Sequence, residues 1–152
     1  MTRPARSADT MPPSAAQLED VLDAVRRDGG RVTRQRRLVI EIFFDQARWV
    51  TAAELVELVR PRWAGVNEST AYRILELLES LGHARHTHLG HGPAYWHRAG
   101  GDGHPLFCDR CGVVLSMPRA WLEPAVDRAR DELGFEVDLD HFAWSGSCAA
   151  CR

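Results

Sequence analysis

The chain has 152 residues, of which 45% are hydrophobic, enough for one domain or two small ones with a buried core. No apolar stretch is long enough to span a bilayer, so we expect no membrane partner. The formal net charge is −2, so bulk charge does not by itself indicate a nucleic-acid partner. The N-terminal segment lacks the apolar run of a secretory signal, which predicts a cytoplasmic protein.

Four helices are predicted in the first half of the chain. Residues 1–14 are rich in Pro, Ser and Arg and are predicted to form a disordered tail. Apolar residues then recur at helical spacing in four segments. Gly82 is the natural end of the fourth helix. The predicted N-caps of the second, third and fourth helices are Thr33, Thr51 and Asn67.

Two extended segments follow the helices. Residues 83–89 and 93–98 flank a glycine-containing turn, which predicts a β-hairpin. Short helices followed by a hairpin are typical of a winged helix-turn-helix, which we assign to residues 15–98. The glycine-rich residues 99–103 predict a hinge linker.

Residues 104–152 predict a second, small α+β domain, so the expected fold class of the whole chain is α+β. A helix is predicted over residues 118–133 and is ended by Gly134. Strands are predicted at residues 106–108, 113–117, 136–139 and 142–144.

All four cysteines lie in two CxxC pairs. Two thiolates separated by two residues can bind one metal ion from a single turn, and a second pair completes the tetrahedral site that structural zinc prefers. The alternative, two disulfides, is disfavoured in a reducing cytoplasm. The predicted zinc ligands, which would join the two ends of the second domain, are Cys108, Cys111, Cys148 and Cys151.

The fourth predicted helix carries polar and basic residues in its first turns. In a helix-turn-helix the N-terminal part of the second helix enters the major groove, where short polar and basic side chains contact base edges and phosphates. The alternative is an ordinary capped helix with a solvated face. The candidate DNA contacts are Arg34, Ser69, Thr70, Tyr72 and Arg73.

Histidines are concentrated around the predicted hairpin and linker. His86 and His88 are two residues apart on a predicted strand, so both side chains project from one face and can bind one metal ion. His141, in the second domain, could supply a third nitrogen. Such a nitrogen-rich hinge site suits nickel, copper, zinc or iron and would fix the angle between the domains only when metal is bound. The alternative is that His86 and His88 contact phosphate or solvent.

A further group of histidines and carboxylates lies around the linker and in the second domain. These residues could form an additional metal site, and an ordinary solvated linker with surface charges is the alternative. The members of this group are His97, Asp102, His104, Glu123 and Asp140.

Several of these segments together resemble one protein family. They are Val32-Thr33-Arg34-Gln35-Arg36, Ser69-Thr70-Ala71-Tyr72-Arg73-Ile74-Leu75 and both CxxC pairs. Over residues 15–152 the chain resembles the ferric uptake regulator (Fur) family of bacterial metal-sensing repressors. The resemblance implies a non-enzymatic homodimer that binds palindromic double-stranded operator DNA when a metal occupies the hinge. It also implies Zn²⁺ at the four cysteines.

Within the family, two segments are most similar to the nickel-responsive Nur branch. They are His86-Thr87-His88-Leu89-Gly90-His91-Gly92 and Asp140-His141-Phe142-Ala143. The similarity implies Ni²⁺ at His86, His88 and His141, with zinc, or iron in a peroxide sensor, as alternatives. The chain also departs from the family pattern. Trp49 stands where many members have a histidine, and glycine and proline replace most of the histidine-rich run before the first CxxC pair.

Two other classes of function compete with the repressor. A metal-assisted hydrolase is disfavoured because the chain has no HExxH motif and no evident pair of nucleophile and base. A zinc-stabilised interaction or metal-buffering module without DNA binding is the third class, and substitutions in the fourth helix would distinguish it.

Overall fold

The computed structural model describes residues 14–88, 92–100, 103–139 and 143–152. In that part of the chain, helices dominate the first half and short strands the second. The elements are α1 (Ala15–Arg27), α2 (Arg34–Phe44), β1 (Val50–Thr51), α3 (Ala52–Val59), α4 (Glu68–Ser80), β2 (Ala84–His88), β3 (Ala94–Arg98), β4 (Gly103–Cys108), β5 (Val114–Pro118), α5 (Glu123–Leu133) and β6 (Trp144–Gly146).

Side-chain caps fix where the first four helices begin. The predicted caps are confirmed, since the side chains of Thr33, Thr51 and Asn67 accept hydrogen bonds from the backbone of the following turn. Thr51 and Glu54 form a reciprocal capping box, as Ser14 and Gln17 do at α1. Each such cap contributes about 0.5–2 kcal/mol to helix stability.

The predicted hairpin forms the first sheet. Strands β2 and β3 pair antiparallel from Ala84 opposite Arg98 to His88 opposite Ala94. The sequence did not predict β1, which pairs with the other edge of β3 and gives the strand order β1-β3-β2. Helices α3 and α4 pack against this sheet, and α1 and α2 pack against the other helices around one large apolar core. Its most deeply buried side chains include Leu22, Ile40, Phe43, Leu55, Leu75 and Leu78.

The second sheet has the order β5-β4-β6, with β4 antiparallel to β5 and parallel to β6. Its core is small. Met117, Leu122 and Leu139 are buried together, with Val126 and Val137 packed beside them. The predicted strand at residues 136–139 is wrong, because no strand is assigned to this segment, which contributes Val137 and Leu139 to the small core.

Two other boundaries differ from the sequence prediction. Gly103 was assigned to the linker, but it begins β4 and pairs with Pro118 of β5. The helix predicted over residues 118–133 starts later, after a 3₁₀ turn at Arg119–Trp121. Pro124, which lacks a backbone N–H, is accommodated in the first turn of α5, where that N–H has no partner within the helix.

No helix in the described ranges combines the length and apolar character required to cross a membrane.

The predicted α+β fold class is confirmed. Four helices and a hairpin are followed by a smaller unit of strands and one helix.

Candidate metal centres and nucleic-acid interface

The parallel pairing of β4 with β6 brings the two CxxC pairs together. Cys108 ends β4 opposite Gly146 of β6, and the Asp109 N–H donates to the Gly146 carbonyl oxygen at 2.8 Å. Each pair then turns tightly, since Gly112 N–H bonds to Cys108 O at 2.9 Å and Cys151 N–H bonds to Cys148 O at 3.0 Å. Strand pairing therefore positions cysteines that are 40 residues apart in sequence.

The four sulfurs fit a tetrahedral metal ion. All four cysteines are free thiols, and their Sγ atoms lie within 4.8 Å of one another. The sulfurs of Cys111 and Cys148 are 3.7 Å apart. Zinc with bonds of about 2.3 Å places its sulfur ligands about 3.8 Å apart in a tetrahedron. In the described part of the chain, no other set of three or more histidines, cysteines or acidic residues has its donor atoms this close together.

Electrostatics in this cluster favour a bound cation. Backbone N–H groups, first that of Cys148, lower the pKa of Cys108 to about 6. Neighbouring thiols, chiefly Cys111 and Cys148, raise the pKa of Cys151 to about 12. The backbone N–H of Val113 is the largest single influence on the pKa of Cys111 and lowers it. The contacts with Cys108 and Cys148, together with burial, outweigh that effect and the opposing contact with Cys151, so the pKa is raised. One sulfur ionises readily while its neighbours resist a second negative charge, a conflict that a divalent cation relieves.

His86 and His88 lie side by side on β2. Their ring centroids are 5.1 Å apart with the planes nearly perpendicular. The His86 ring also packs on Trp96 of β3, with a centroid distance of 4.9 Å. Two adjacent imidazoles are a suitable donor set for a first-row transition metal. His141, the third predicted ligand, lies outside the described residues.

The structure adds one residue that sequence reasoning missed. Glu79, near the end of α4, places Oε1 2.6 Å from Nδ1 of His86 and 3.2 Å from the His86 backbone nitrogen. A carboxylate seven residues upstream carries no local sequence signal. The contact arises because the end of α4 packs against β2.

Three of the residues predicted for an additional metal site, His97, His104 and Glu123, lie in the described part of the chain. His97 is buried, with Nδ1 2.9 Å from Arg98 O and its ring 5.2 Å from Trp49. Burial lowers the pKa of His97. His104 is buried on β4, whereas Glu123 is exposed at the start of α5. Among described residues, no cluster of three potential ligands includes these side chains. The other two predicted members, Asp102 and Asp140, lie outside the described residues.

The N-terminal turns of α4 present part of the predicted DNA contacts. Ser69 and Arg73 are exposed, and Arg73 donates from Nη2 to Ser69 Oγ at 3.1 Å. Thr70 is half-buried, and its backbone N–H bonds to the Asn67 cap. Tyr72 is half-buried and packs against the main core, with its ring centroid 6.5 Å from that of Trp96.

Three arginines near the start of α2 differ in their contacts. Arg34 is exposed at the first position of α2. Arg37 is bound by Glu19 and Glu41 at 2.7 and 2.8 Å, so its charge is largely balanced within the protein. Arg36 donates to the Arg31 carbonyl oxygen at 2.8 Å.

Known proteins resemble the chain over nearly its whole length. It is 21% identical over 136 residues to the peroxide-responsive repressor PerR of Staphylococcus saprophyticus, covering 90% of this chain and 92% of the relative. It is 20% identical over 138 residues to the peroxide operon regulator of Bacillus subtilis, covering 91% of this chain and 95% of the relative.

Solved structures share the fold. The Helicobacter pylori ferric uptake regulator Fur, described as having three functional metal binding sites, matches with a TM-score of 0.77 at 16% identity, covering 94% of this chain and 97% of its own. A zinc-bound manganese uptake regulator matches with a TM-score of 0.66 at 22% identity, and the match covers 84% of this chain and 98% of that structure. The sequence pattern of the Ferric uptake regulator family matches residues 27–141. The chain therefore belongs to the ferric uptake regulator family of metal-responsive transcriptional regulators.

Proposed function

We propose that this protein is a metal-dependent transcriptional repressor that binds palindromic operator DNA as a homodimer when Ni²⁺ occupies the hinge site, His86, His88 and His141. The observation that carries the proposal is the position of the His86–His88 pair. The two rings adjoin on β2, and the same strand packs against α4, whose first turns carry the candidate DNA contacts. A metal bound to this pair would act directly on the element that contacts DNA.

The four cysteines would hold Zn²⁺ with a structural role. Four thiolates leave no ligand position for a substrate or a regulatory signal, which is the property that separates structural from catalytic zinc sites. The short separation of the Cys111 and Cys148 sulfurs supports this assignment. Because the unit around β4–β6 has only a small apolar core, zinc would supply much of its folding free energy.

The donor chemistry of the hinge supports nickel over harder ions. Imidazole nitrogens bind nickel more tightly than manganese or iron(II), following the general order of first-row metals. The preference for nickel over zinc rests on the similarity of residues 86–92 and 140–143 to the nickel-responsive branch of the family. The sensed metal in a cell also depends on which metal is available to the protein.

DNA binding would use the first turns of α4 in the major groove. The helix N-terminus attracts phosphate, and Ser69 and Arg73 are exposed there. Exposed Arg34 at the start of α2 would add a backbone contact. The hairpin β2–β3 would act as the wing.

Homodimer formation would cover apolar side chains around α5. Within the described residues, no side chain of α5 is fully buried, and Val126 is the α5 residue that packs beside the small core. Trp121, Leu133 and Phe135 are 71%, 77% and 61% exposed. Large apolar groups gathered on one small unit are typical of an interaction surface, and a second copy is the partner that the proposed palindromic operator requires.

A second candidate is an iron- or zinc-responsive regulator with the same architecture. The similarity to two peroxide-responsive regulators, at 20–21% identity over nine-tenths of the chain, favours this alternative. The imidazole pair also accepts iron or zinc, so both candidates share the hinge site and differ only in the metal that fills it.

Metal stoichiometry tests the proposal. The wild-type protein should retain one Zn²⁺ per chain after dialysis and take up one Ni²⁺. The variants His86→Ala and His88→Ala should retain the zinc and lose the tight nickel site. His83→Ala is the matched control, because His83 precedes β2 and was not predicted as a ligand. Tight nickel binding that survives both substitutions would refute the assignment of the hinge site.

A further inference from the structure

We propose that Glu79 is a positioning residue that holds the proton of His86 on Nδ1 and thereby presents Nε2 to the regulatory metal. This inference rests on the proposed function, since it assigns His86 as a ligand. It also assigns a role to a carboxylate on α4 that does not itself need to touch the metal.

The hydrogen bonds between Glu79 and His86 are the basis of this assignment. One carboxylate oxygen of Glu79 accepts the backbone N–H of His86 at 3.2 Å and lies 2.6 Å from Nδ1 of the same residue. An ionised carboxylate has no proton to donate, so the neutral imidazole beside it must carry its hydrogen on Nδ1. Nε2 then carries the lone pair, which is the form a metal requires.

Neighbouring rings restrict the orientation of His86. Trp96 lies against it with the planes tilted by 37°, and His88 meets it edge to face at 86°. The side chains of Glu79 and His86 are 32% and 24% exposed, so water competes only partly for their contact. Together these contacts fix both the tautomer and the direction of the ring, which is the usual effect of a carboxylate behind a metal-bound histidine.

The position of Glu79 on α4 also gives the metal a path to the DNA-contacting helix. A cation on Nε2 makes the Nδ1–H a stronger donor, so it strengthens the bond to Glu79. Because Glu79 lies in the last turn of the helix whose first two turns carry Ser69 and Arg73, metal binding would tighten the connection between β2 and α4.

The test uses ¹⁵N NMR of the full-length, zinc-loaded protein without a hinge metal, at about pH 8.5, where free histidine is neutral. The His86 signals are assigned by their loss in His86→Ala. In the wild type we expect the proton on Nδ1, and in Glu79→Ala we expect the Nε2–H form to become populated. Glu76→Ala removes an exposed carboxylate one turn earlier on α4 and should leave the tautomer unchanged.

Nickel titration of the same proteins by calorimetry provides the second readout. Glu79→Ala should weaken nickel binding by about tenfold to a hundredfold, the range seen when a carboxylate behind a metal ligand is removed. Glu79→Gln, which keeps the size and a weaker hydrogen bond, should fall between Glu79→Ala and the wild type. Glu76→Ala should bind nickel like the wild type.

The two readouts separate the possible failures. A His86 proton on Nε2 in the wild type, or a tautomer unchanged by Glu79→Ala, would overturn the role of Glu79 even if nickel binds. An equal loss of nickel affinity in Glu76→Ala would also overturn it. If the tautomer responds to Glu79→Ala but His86→Ala binds nickel normally, the positioning contact stands and the proposed hinge site fails.

Discussion

Arg85 donates a hydrogen bond from Nη2 to the Gly103 carbonyl oxygen at 2.7 Å, and thus joins strand β2 of the first sheet to the first residue of β4 in the second. The guanidinium also lies 5.1 Å from the centre of the Trp49 ring, a cation–π contact. Packing and a charged donor therefore connect the two sheets at this position.

Replacing Arg85 should therefore loosen the connection between the two sheets. Arg85→Ala removes a charge-assisted hydrogen bond and the cation–π contact, so we expect a loss of about 1–3 kcal/mol in the free energy of unfolding. Urea denaturation of the zinc-loaded protein measures this. Arg128→Ala is the control, because its ion pair with Glu132 is exposed and contributes little. Equal effects of the two substitutions would contradict the importance of the Arg85 contact.

The two metal sites should respond differently to substitution. Cys108→Ser should abolish zinc retention and destabilise the unit around β4–β6, because binding of structural zinc contributes directly to folding. His86→Ala should keep the zinc and the fold, and weaken only metal-dependent DNA binding. Zinc content, thermal unfolding and size-exclusion chromatography distinguish these outcomes. If His86→Ala unfolds the protein as readily as Cys108→Ser, His86 has a structural rather than a regulatory role.

The lowered pKa of Cys108 predicts how zinc binding depends on pH. Since the folded pKa of about 6 lies below the ordinary thiol value of 9.0, the stability that ionised Cys108 gives the metal-free protein is complete above pH 9 and is lost as pH falls through 6. At about pH 7.5, zinc should displace protons from Cys111 and Cys151 but none from Cys108. At about pH 5 the Cys108 proton should be released as well.

Calorimetry with one equivalent of zinc in buffers of different ionisation enthalpy counts these protons. The number released should rise by about one between the two pH values. A number that stays constant would show that the backbone N–H groups around Cys108 do not lower its pKa as described.

The exposed arginine on α4 should affect DNA binding through charge. Arg73→Ala should weaken binding similarly for different sequences, and the slope of log affinity against log salt should fall by about 1 if Arg73 neutralises one phosphate. Arg60→Ala, at the end of α3, is a matched control with the same charge change. Salt-dependent fluorescence anisotropy with operator-like DNA measures both slopes. An unchanged slope for Arg73→Ala would remove this residue from the interface.

A test of the Tyr72 hydroxyl in DNA binding requires a substitution that leaves the aromatic ring in place. Because its ring packs against the main core, Tyr72→Ala would perturb folding as well as any DNA contact. Tyr72→Phe should leave the free energy of unfolding within about 1 kcal/mol of the wild type and test the hydroxyl alone. A loss of DNA affinity with unchanged urea stability would identify a direct contact of that hydroxyl.

Local signals in the sequence predicted most of the helical half. The caps at Thr33, Thr51 and Asn67 act over three residues, so a sequence pattern reveals them. The hairpin was likewise marked by its glycine turn. Strand β1 was not predicted, because two residues, Val50 and Thr51, have no periodicity and become a strand only by pairing with β3. The segment 136–139 is predicted as a strand, but in the described part of the chain it forms no strand and contributes Val137 and Leu139 to the small core.

In the candidate site, too, local spacing predicted some features, whereas contacts made by tertiary packing were not predicted. The CxxC spacing predicted which cysteines would be neighbours, and the pairing of β4 with β6 brings them together. Glu79 was not predicted, because its contact with His86 depends on how α4 packs on β2 and not on any local spacing. The sequence places His97 near the end of the second hairpin strand, but its burial, with the ring against Trp49 and Nδ1 facing the backbone, depends on tertiary packing.

The most direct test of metal-dependent repression is the affinity of the zinc-loaded protein for operator-like DNA as nickel, zinc, iron(II) and manganese(II) are titrated separately. We expect nickel to raise the affinity most, and His86→Ala or His141→Ala to remove the response while zinc content stays at one per chain. A response to iron or excess zinc alone would contradict nickel sensing and favour the second candidate. DNA affinity that is independent of every metal would contradict the proposed mechanism itself.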